Sequence, residues 1–503
     1  MNTPHVAEAS AGDPSPAGTG SGPAMAALAA DVRRCGLAAG LAAVGVAPAA
    51  PMLATRRLLE ERKAAGLSGG MQFTYRDPAR STDPERALPG AKALVVGAWR
   101  YAPVRARPGA GYGAAGDQGP GDRGAGDRGA GHTPSQDHAP EGAGQSASPP
   151  SRTAGDDRPR STPADDRPRS TPADDRAPST AGDDRPMGLV ARYAVKDHYA
   201  DLRSALNQVA SLLRAAGWAA RVVADDNAMV DRAAAALAGL GWFGKNSNIL
   251  LPGQGSWFLL GSVVTDAPLP PDAGVVDGCG PCRRCLTACP TGALVAPGVL
   301  DARRCLAWLL QAAGTFPFEF REALGSRIYG CDDCQEICPA NRAADPRVDL
   351  EFRQRGAEAG LDLVADLDPG QGGPEGAVDL LWLLNETDDV IMAAFGRWYI
   401  PRREPRYLRR NALIALGNVA DGRAPAVEAV LRRYLADSDE MLAAHAVWAA
   451  ARSGRHDLLS EVPGVRDHPG QAVRAELERA GQVAARDTRS RSGGARAPSV
   501  AKR

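Results

Sequence analysis

Apolar residues recur with two periods along the chain, and one long stretch lacks them altogether. Residues 91–99 (AKALVVGAW) follow the turn Pro89-Gly90 and predict a short buried strand. Residues 200–216 (ADLRSALNQVASLLRAA) place apolar positions at helical spacing, and residues 221–224 read as another strand. Between these segments, residues 108–186 contain no Leu, Ile, Val, Met, Phe or Trp. Such a stretch cannot build a core and is expected to be disordered. Its nine-residue repeat DDRPRSTPA, at 156–164 and again at 165–173, carries no apolar position that could stack, so it is low-complexity sequence rather than a solenoid. Helix and strand alternate on both sides of it, which implies one α/β domain split by a surface insertion. Residues 409–420, 424–435 and 440–451 then form successive amphipathic, Ala/Leu-rich helices, the pattern of a small helical repeat.

Charge and composition narrow the class. The 503 residues hold 59 Lys+Arg against 59 Asp+Glu, which excludes a globally basic nucleic-acid coat but not a local basic patch. The longest uncharged stretch, 35–55, is mostly Ala and Gly with two prolines, too weakly apolar for a membrane span. Arg33 and Arg34 precede it behind a polar tail, unlike a signal peptide, so a cytoplasmic enzyme, monomeric and away from membranes, is expected. The chain reads as an α+β multidomain protein. A disordered tail (1–24) leads into a split α/β domain (25–107 and 187–276) around the insertion (108–186). A bacterial-ferredoxin-like domain (277–345), α-helical HEAT-like repeats (346–480) and a second disordered tail (481–503) follow.

Eight of the nine cysteines lie between positions 279 and 338. The run Cys279-x2-Cys282-x2-Cys285-x3-Cys289-Pro290 is the bacterial ferredoxin pattern for 4Fe-4S clusters, whose last Cys serves the neighbouring cluster. A second run, Cys331-x2-Cys334-x3-Cys338-Pro339, lacks its first Cys, which Cys305 supplies. One cluster is therefore assigned to Cys279, Cys282, Cys285 and Cys338, and the other to Cys289, Cys305, Cys331 and Cys334. Zinc does not explain the Cys-Pro endings, and disulfides are disfavoured in a reducing compartment. Cys35 reads as a small buried hydrophobe.

Residues 225–266 (DDNAMVDRAAAALAGLGWFGKNSNILLPGQGSWFLLGSVVTD), the IYGCDDCQEICPAN run and RRNALIALGN at 409–418 together closely resemble the epoxyqueuosine reductase family. The resemblance covers the folded residues and skips both tails and the insertion. It implies two 4Fe-4S clusters and cobalamin, the latter in the split domain. It also implies reductive removal of the epoxide oxygen of epoxyqueuosine at the tRNA wobble position, with an unidentified electron donor. Counting from Asp231-Arg232 places the family's proton donor at Asp225. Desolvation beside a corrin would raise its pKa toward neutrality. Asp226 suits an N-cap for a helix expected to start near Met229. Tyr193 and His198 match a pocket-lining stretch, and Arg80 and Ser256 are placed by resemblance. Lys245 and Asn246, after the glycines of AGLGWFGKN, would face polar groups of the corrin. The alternative for that segment is a glycine-capped helix end with a solvated Lys. No DxHxxG motif appears, so the resemblance implies cobalt held without a protein His.

A tRNA substrate needs local positive charge. Residues 397–433 hold 9 Arg against 3 acids, a net of 9 − 3 = +6, and Arg402, Arg403, Arg409, Arg410 and Asn411 are the expected RNA contacts. Two other readings are a corrinoid iron-sulfur reductase acting on a small molecule, which has no use for an Arg-rich helical repeat, and a non-catalytic ferredoxin-type carrier, which leaves AGLGWFGKN and GSWFLLG without a task.

Overall fold

A computed structural model describes residues 22–101, 185–342 and 376–493, with side chains through 482. All of these belong to one compact unit. Most of the insertion, residues 1–21 of the first tail, 343–375 and 494–503 lie outside the described residues.

The strands are β1 (Ala43–Pro48), β2 (Ala93–Arg100), β3 (Met187–Val190), β4 (Ala220–Val223), β5 (Trp242–Phe243), β6 (Ile249–Leu250), β7 (Phe258–Thr265), β8 (Leu294–Ala296), β9 (Val299–Leu300), β10 (Arg327–Tyr329) and β11 (Ala377–Asp379). Four of them form the main sheet in the order β1-β2-β7-β4, with every neighbour antiparallel. The helix–strand alternation thus belongs to an antiparallel sheet covered by helices rather than to parallel crossover units. Alternation along β2 explains why both faces are covered. Ala93 and Val95 enter a core with helices α1 (Gly22–Ala38) and α3 (His198–Ala215), whereas Leu94, Val96 and Ala98 enter a second core with α4 (Asp231–Leu237). Helix α2 (Leu53–Ala64) lies between β1 and β2 in the chain.

The cysteine segment and the C-terminal helices share a third core. It runs from Leu306, Leu309 and Phe316 through Ile328 to α5 (Leu380–Asn385), α6 (Asp388–Phe395), α7 (Arg406–Val419), α8 (Pro425–Leu435), α9 (Glu440–Arg452) and Val473 of α10 (Gln471–Gly493). Strand β3, the first element after the insertion, joins the two regions, pairing parallel with β10 and antiparallel with β11. Both expected tails, 1–24 and 481–503, overlap helices. Helix α1 starts at Gly22, and α10 runs to Gly493 because its Ala, Glu, Arg and Gln are strong helix formers. Among the described residues no helix is long and apolar enough to cross a membrane.

Candidate functional site

The eight cysteines are all half-buried and unbridged. Their charged neighbours sort them into two sets. Cys285 feels Cys338, Cys279 and Cys282, and burial pushes its thiol up to about 11. Cys334 feels Cys331, Cys305 and Cys289, and burial again raises it. The spacing assigns the same neighbours to each of its two expected clusters, and that ligation is a proposal. Among the described residues, no group of three or more His, Cys, Asp or Glu converges closely enough for a single ion.

The AGLGWFGKN segment braces these loops. Gly239 (φ +68°) follows the end of α4, as the glycine-capped alternative requires. A Cβ on Gly241 would stand 2.1 Å from the Leu250 carbonyl, so the missing side chain serves protein packing. Lys245 donates to the carbonyls of Gly280 and Cys282, the latter at 2.8 Å. Buried Asn246 donates to the Cys334 carbonyl at 3.3 Å. Its neighbour Lys245 therefore grips the loop of the first cluster, and Asn246 that of the second. Ser256, also buried, donates from Oγ to Gln335 at 2.9 Å, and its N–H donates to Asn341 Oδ1 at 2.6 Å.

Asp225 follows β4 with φ +53°, a left-handed conformation that costs a non-glycine residue about 1 kcal/mol or more. Its carboxyl reaches solvent, yet the surrounding protein raises its pKa by desolvation, with Arg203 opposing and Asp226 adding. Asp226 does not cap α4, which starts at Asp231; instead Asp226 Oδ1 accepts the Ala228 N–H at 2.9 Å. The reason is that Met229 and Val230 are spent on a turn whose Val230 N–H donates to the Ser81 carbonyl at 3.0 Å. That bond sets the Asp77–Thr82 turn, with exposed Arg80, beside the aspartate loop. Asp231 is half-buried with its Oδ1 enclosed, and its pKa is raised first through desolvation and then through the charge of Asp225.

Tyrosines surround this loop. Asp225 acts on the hydroxyls of Tyr199 and Tyr329, and burial raises both pKa values. The rings of Tyr193 and Tyr329 are 6.3 Å apart, and Gln311 donates to the Tyr193 hydroxyl at 3.2 Å. His198 lies 6.0 Å from Tyr101 in the same region. Arg232 lies near enough for its charge to bear on Asp231, Tyr199 and Cys305. Tyr329, Arg203 and Arg232 were missed by sequence reasoning, although Tyr329 and Arg232 sit inside the motifs that carried it. A shallow groove of about 780 Å³ along α3, lined in part by half-buried Cys35, Ser204 and Asn207, meets this region only at Arg203.

The expected RNA contacts divide. Arg402 and Arg403 are exposed. Arg409 pairs with Asp388 and donates to the Glu386 carbonyl at 2.6 Å. Arg410 and Asn411 are corrections, being only 1% and 0% exposed. Arg410 donates to the carbonyls of Ala312 at 2.8 Å and Leu309 at 3.1 Å, and Asn411 to those of Leu310 at 2.8 Å and Ile328 at 3.0 Å. Both tie α7 to the cysteine segment and cannot reach a phosphate.

Residues 278–341 match the 4Fe-4S double cluster binding domain family, so the chain carries iron-sulfur clusters. An epoxyqueuosine reductase of Shewanella oneidensis is 38% identical over 288 residues, 54% of this chain and 67% of the relative. That of Xanthomonas campestris pv. campestris is 37% identical over 276 residues, 53% of this chain and 70% of the relative. Among solved structures, an epoxyqueuosine reductase with an epoxyqueuosine-modified tRNA-Tyr stem loop shares the fold at TM-score 0.66 and 24% identity, covering 91% of this chain and 98% of that one. The Bacillus subtilis enzyme with its catalytic aspartate loop swung out of the active site superposes at TM-score 0.64, with the same identity and coverage. With two thirds or more of these relatives' length matched above 30% identity, the chain belongs to the epoxyqueuosine reductases, a family of oxidoreductases.

Proposed function

We propose that the chain reduces epoxyqueuosine to queuosine at the wobble position of tRNA, with Asp225 as the proton donor. The observation that carries this reading is a solvent-reached carboxyl with a raised pKa, held in a left-handed turn and within electrostatic reach of the Tyr199 and Tyr329 hydroxyls. The reaction takes two electrons and two protons, breaks both C–O bonds of the epoxide and releases its oxygen as water. A leaving oxygen needs an acid, and desolvation that raises the Asp225 pKa makes its carboxyl better suited to supply one.

The residues also fit cobalamin. Asp231 Oδ1 and Ser247 Oγ are buried without a hydrogen-bond partner, as expected of a wall that meets a polar-edged ligand. Arg80 and Tyr193 would hold such a group directly, whereas Lys245, Asn246 and Ser256 act on it through the cluster loops they brace. When bound, cobalamin would supply the redox-active cobalt that the reduction needs, with Arg80 and Tyr193 placed to hold it. Asp225 then needs only to keep its proton until the C–O bond breaks, which its desolvation favours.

Anaerobic reconstitution with iron, sulfide and cobalamin, followed by assay on tRNA from cells lacking the protein, tests the reading. Queuosine should appear. Asp225→Asn should keep both clusters and lose about 100-fold or more in turnover, the usual weight of a general acid. In the wild type, kcat/KM should be full below the raised Asp225 pKa and fall as pH rises through it, because only the protonated carboxyl donates. A flat profile, or loss of turnover in Asp226→Asn with Asp225→Asn active, overturns the assignment.

A further inference from the structure

We infer that Tyr399 is a stacking platform for a base of the tRNA anticodon loop, with Arg402 and Arg403 gripping the adjoining phosphates; the inference rests on the tRNA reading above. Tyr399 is 60% exposed, the most exposed aromatic side chain among the described residues. A single exposed ring is ordinary on a protein surface, but three further features set this one apart.

The first is its mounting. The Tyr399 N–H donates to the Tyr329 hydroxyl at 2.9 Å, and that hydroxyl donates to the Tyr399 carbonyl at 3.5 Å. Tyr329 is itself buried and stacks on Trp398 at 4.4 Å, and Trp398 stacks on Phe395 at 4.4 Å. The Trp398 Nε1 donates to the Ala194 carbonyl at 2.9 Å. A solvent-facing ring thus has its backbone clamped on a rigid aromatic stack, so little conformational entropy is lost when a flat partner lands on it.

Strain is the second feature. Arg402 (φ +52°) and Arg403 (φ +58°) are consecutive non-glycine residues in the left-handed region, a cost of about 1–2 kcal/mol each. Both are exposed, and the Arg403 guanidinium is held by the Gly396 carbonyl at 3.1 Å, a partner that leaves its charge unneutralised. Folding gains nothing evident from this strain; a ligand that uses two adjacent guanidinium groups does.

Location is the third. The hydroxyl that clamps Tyr399 is also within electrostatic reach of Asp225. A nucleotide whose base is presented to Asp225 would bring its loop neighbours to Tyr399. Single-stranded loop bases are recognised by stacking on aromatic rings beside Arg, with each stack worth about 1–3 kcal/mol.

The test uses the reconstituted full chain and an anticodon stem-loop RNA carrying 2-aminopurine in the loop, with affinity read by anisotropy and stacking by fluorescence quenching. Tyr399→Ala and Tyr399→Leu should weaken binding by about 5- to 100-fold and abolish quenching, whereas Tyr399→Phe should bind within about twofold of the wild type. A plain duplex of the same length should bind all four proteins alike. Cluster absorbance in each variant verifies folding, and the exposed ring can be truncated without opening the core. If Tyr399→Leu binds and quenches as the wild type does, the platform is wrong and the tRNA reading stands. If the wild type shows no preference for the stem-loop over the duplex, the tRNA reading fails and the inference with it.

Discussion

His198 stands at the first turn of α3, where Asp197 caps the helix by accepting the Ala200 N–H at 3.0 Å. Its neighbours bear on its charge: desolvation lowers its pKa to about 4, with Lys196 and Arg397 adding and Asp197 opposing. It is therefore neutral at physiological pH and no rival to Asp225 as proton donor. Because the folded pKa lies below the unfolded one, His198 stabilises the fold fully above about pH 6.5, and that contribution is lost as pH falls toward 4. Stability by denaturant titration should drop between pH 7 and 5, by at most about 1.4 kcal/mol per pH unit from this residue, and His198→Gln should flatten part of the slope. An unchanged slope in the variant would assign the whole dependence to other groups. The double-cluster segment was legible in the sequence because its Cys spacing is local, and residues 278–341 match that domain. Residue chemistry was not legible where a partner lies far along the chain. Lys245 reaches carbonyls 35 and 37 residues away, and Asn246 one 88 residues away, so their role as braces could not be read from spacing. Lys245→Met is accordingly expected to lower iron incorporation during reconstitution, measured per protein, before it changes cobalamin uptake.

Helix α7 shows the same limit at the scale of an element. Its position was evident from periodicity, with 409–420 expected and Arg406–Val419 found, but its Arg-rich start read as a solvated or RNA-facing surface. The signal against that reading was present in the period. Arg410 lies three residues after Tyr407 and three before Leu413, and Asn411 three after Leu408 and four before Ala415, all four of them buried. Among the described residues no carboxylate pairs with Arg410; carbonyl oxygens accept from it, and the Phe316 and Tyr407 rings lie beside its guanidinium. Burial lowers its pKa to about 9, still leaving it charged at neutral pH. Arg410→Met should leave those carbonyls unpaired and destabilise the fold by about 3–5 kcal/mol, seen as a lower Tm without RNA present. An RNA-contacting arginine would behave oppositely, losing affinity with stability intact. The main sheet was less legible than the helices because its order joins β2 to β7 across most of the first half of the chain, and only the strands themselves carry a local pattern.

For the whole molecule, zero net charge is an average whose local excess is largely spent inside the protein. Of the nine arginines in 397–433, Arg406 pairs with Asp439, Arg409 with Asp388, and Arg432 with Glu428 and Glu461, while Arg410 is buried. That leaves Arg402, Arg403, Arg423 and Arg433 without a carboxylate partner among the ion pairs of the described residues. A polyanion bound by three or four of them releases few counterions. The logarithm of stem-loop affinity against the logarithm of salt concentration should therefore fall with a slope of about −2 to −4, rather than about −7 if all nine engaged phosphates. The steeper slope would mean that RNA pulls Arg406, Arg409 and Arg432 from their carboxylates, and the paired face of α7 and α8 would then be part of the binding surface. A shallow slope confines the electrostatic contact to a few residues near Tyr399 and leaves affinity to stacking, so Tyr399→Ala should weaken binding by a similar factor at low and high salt.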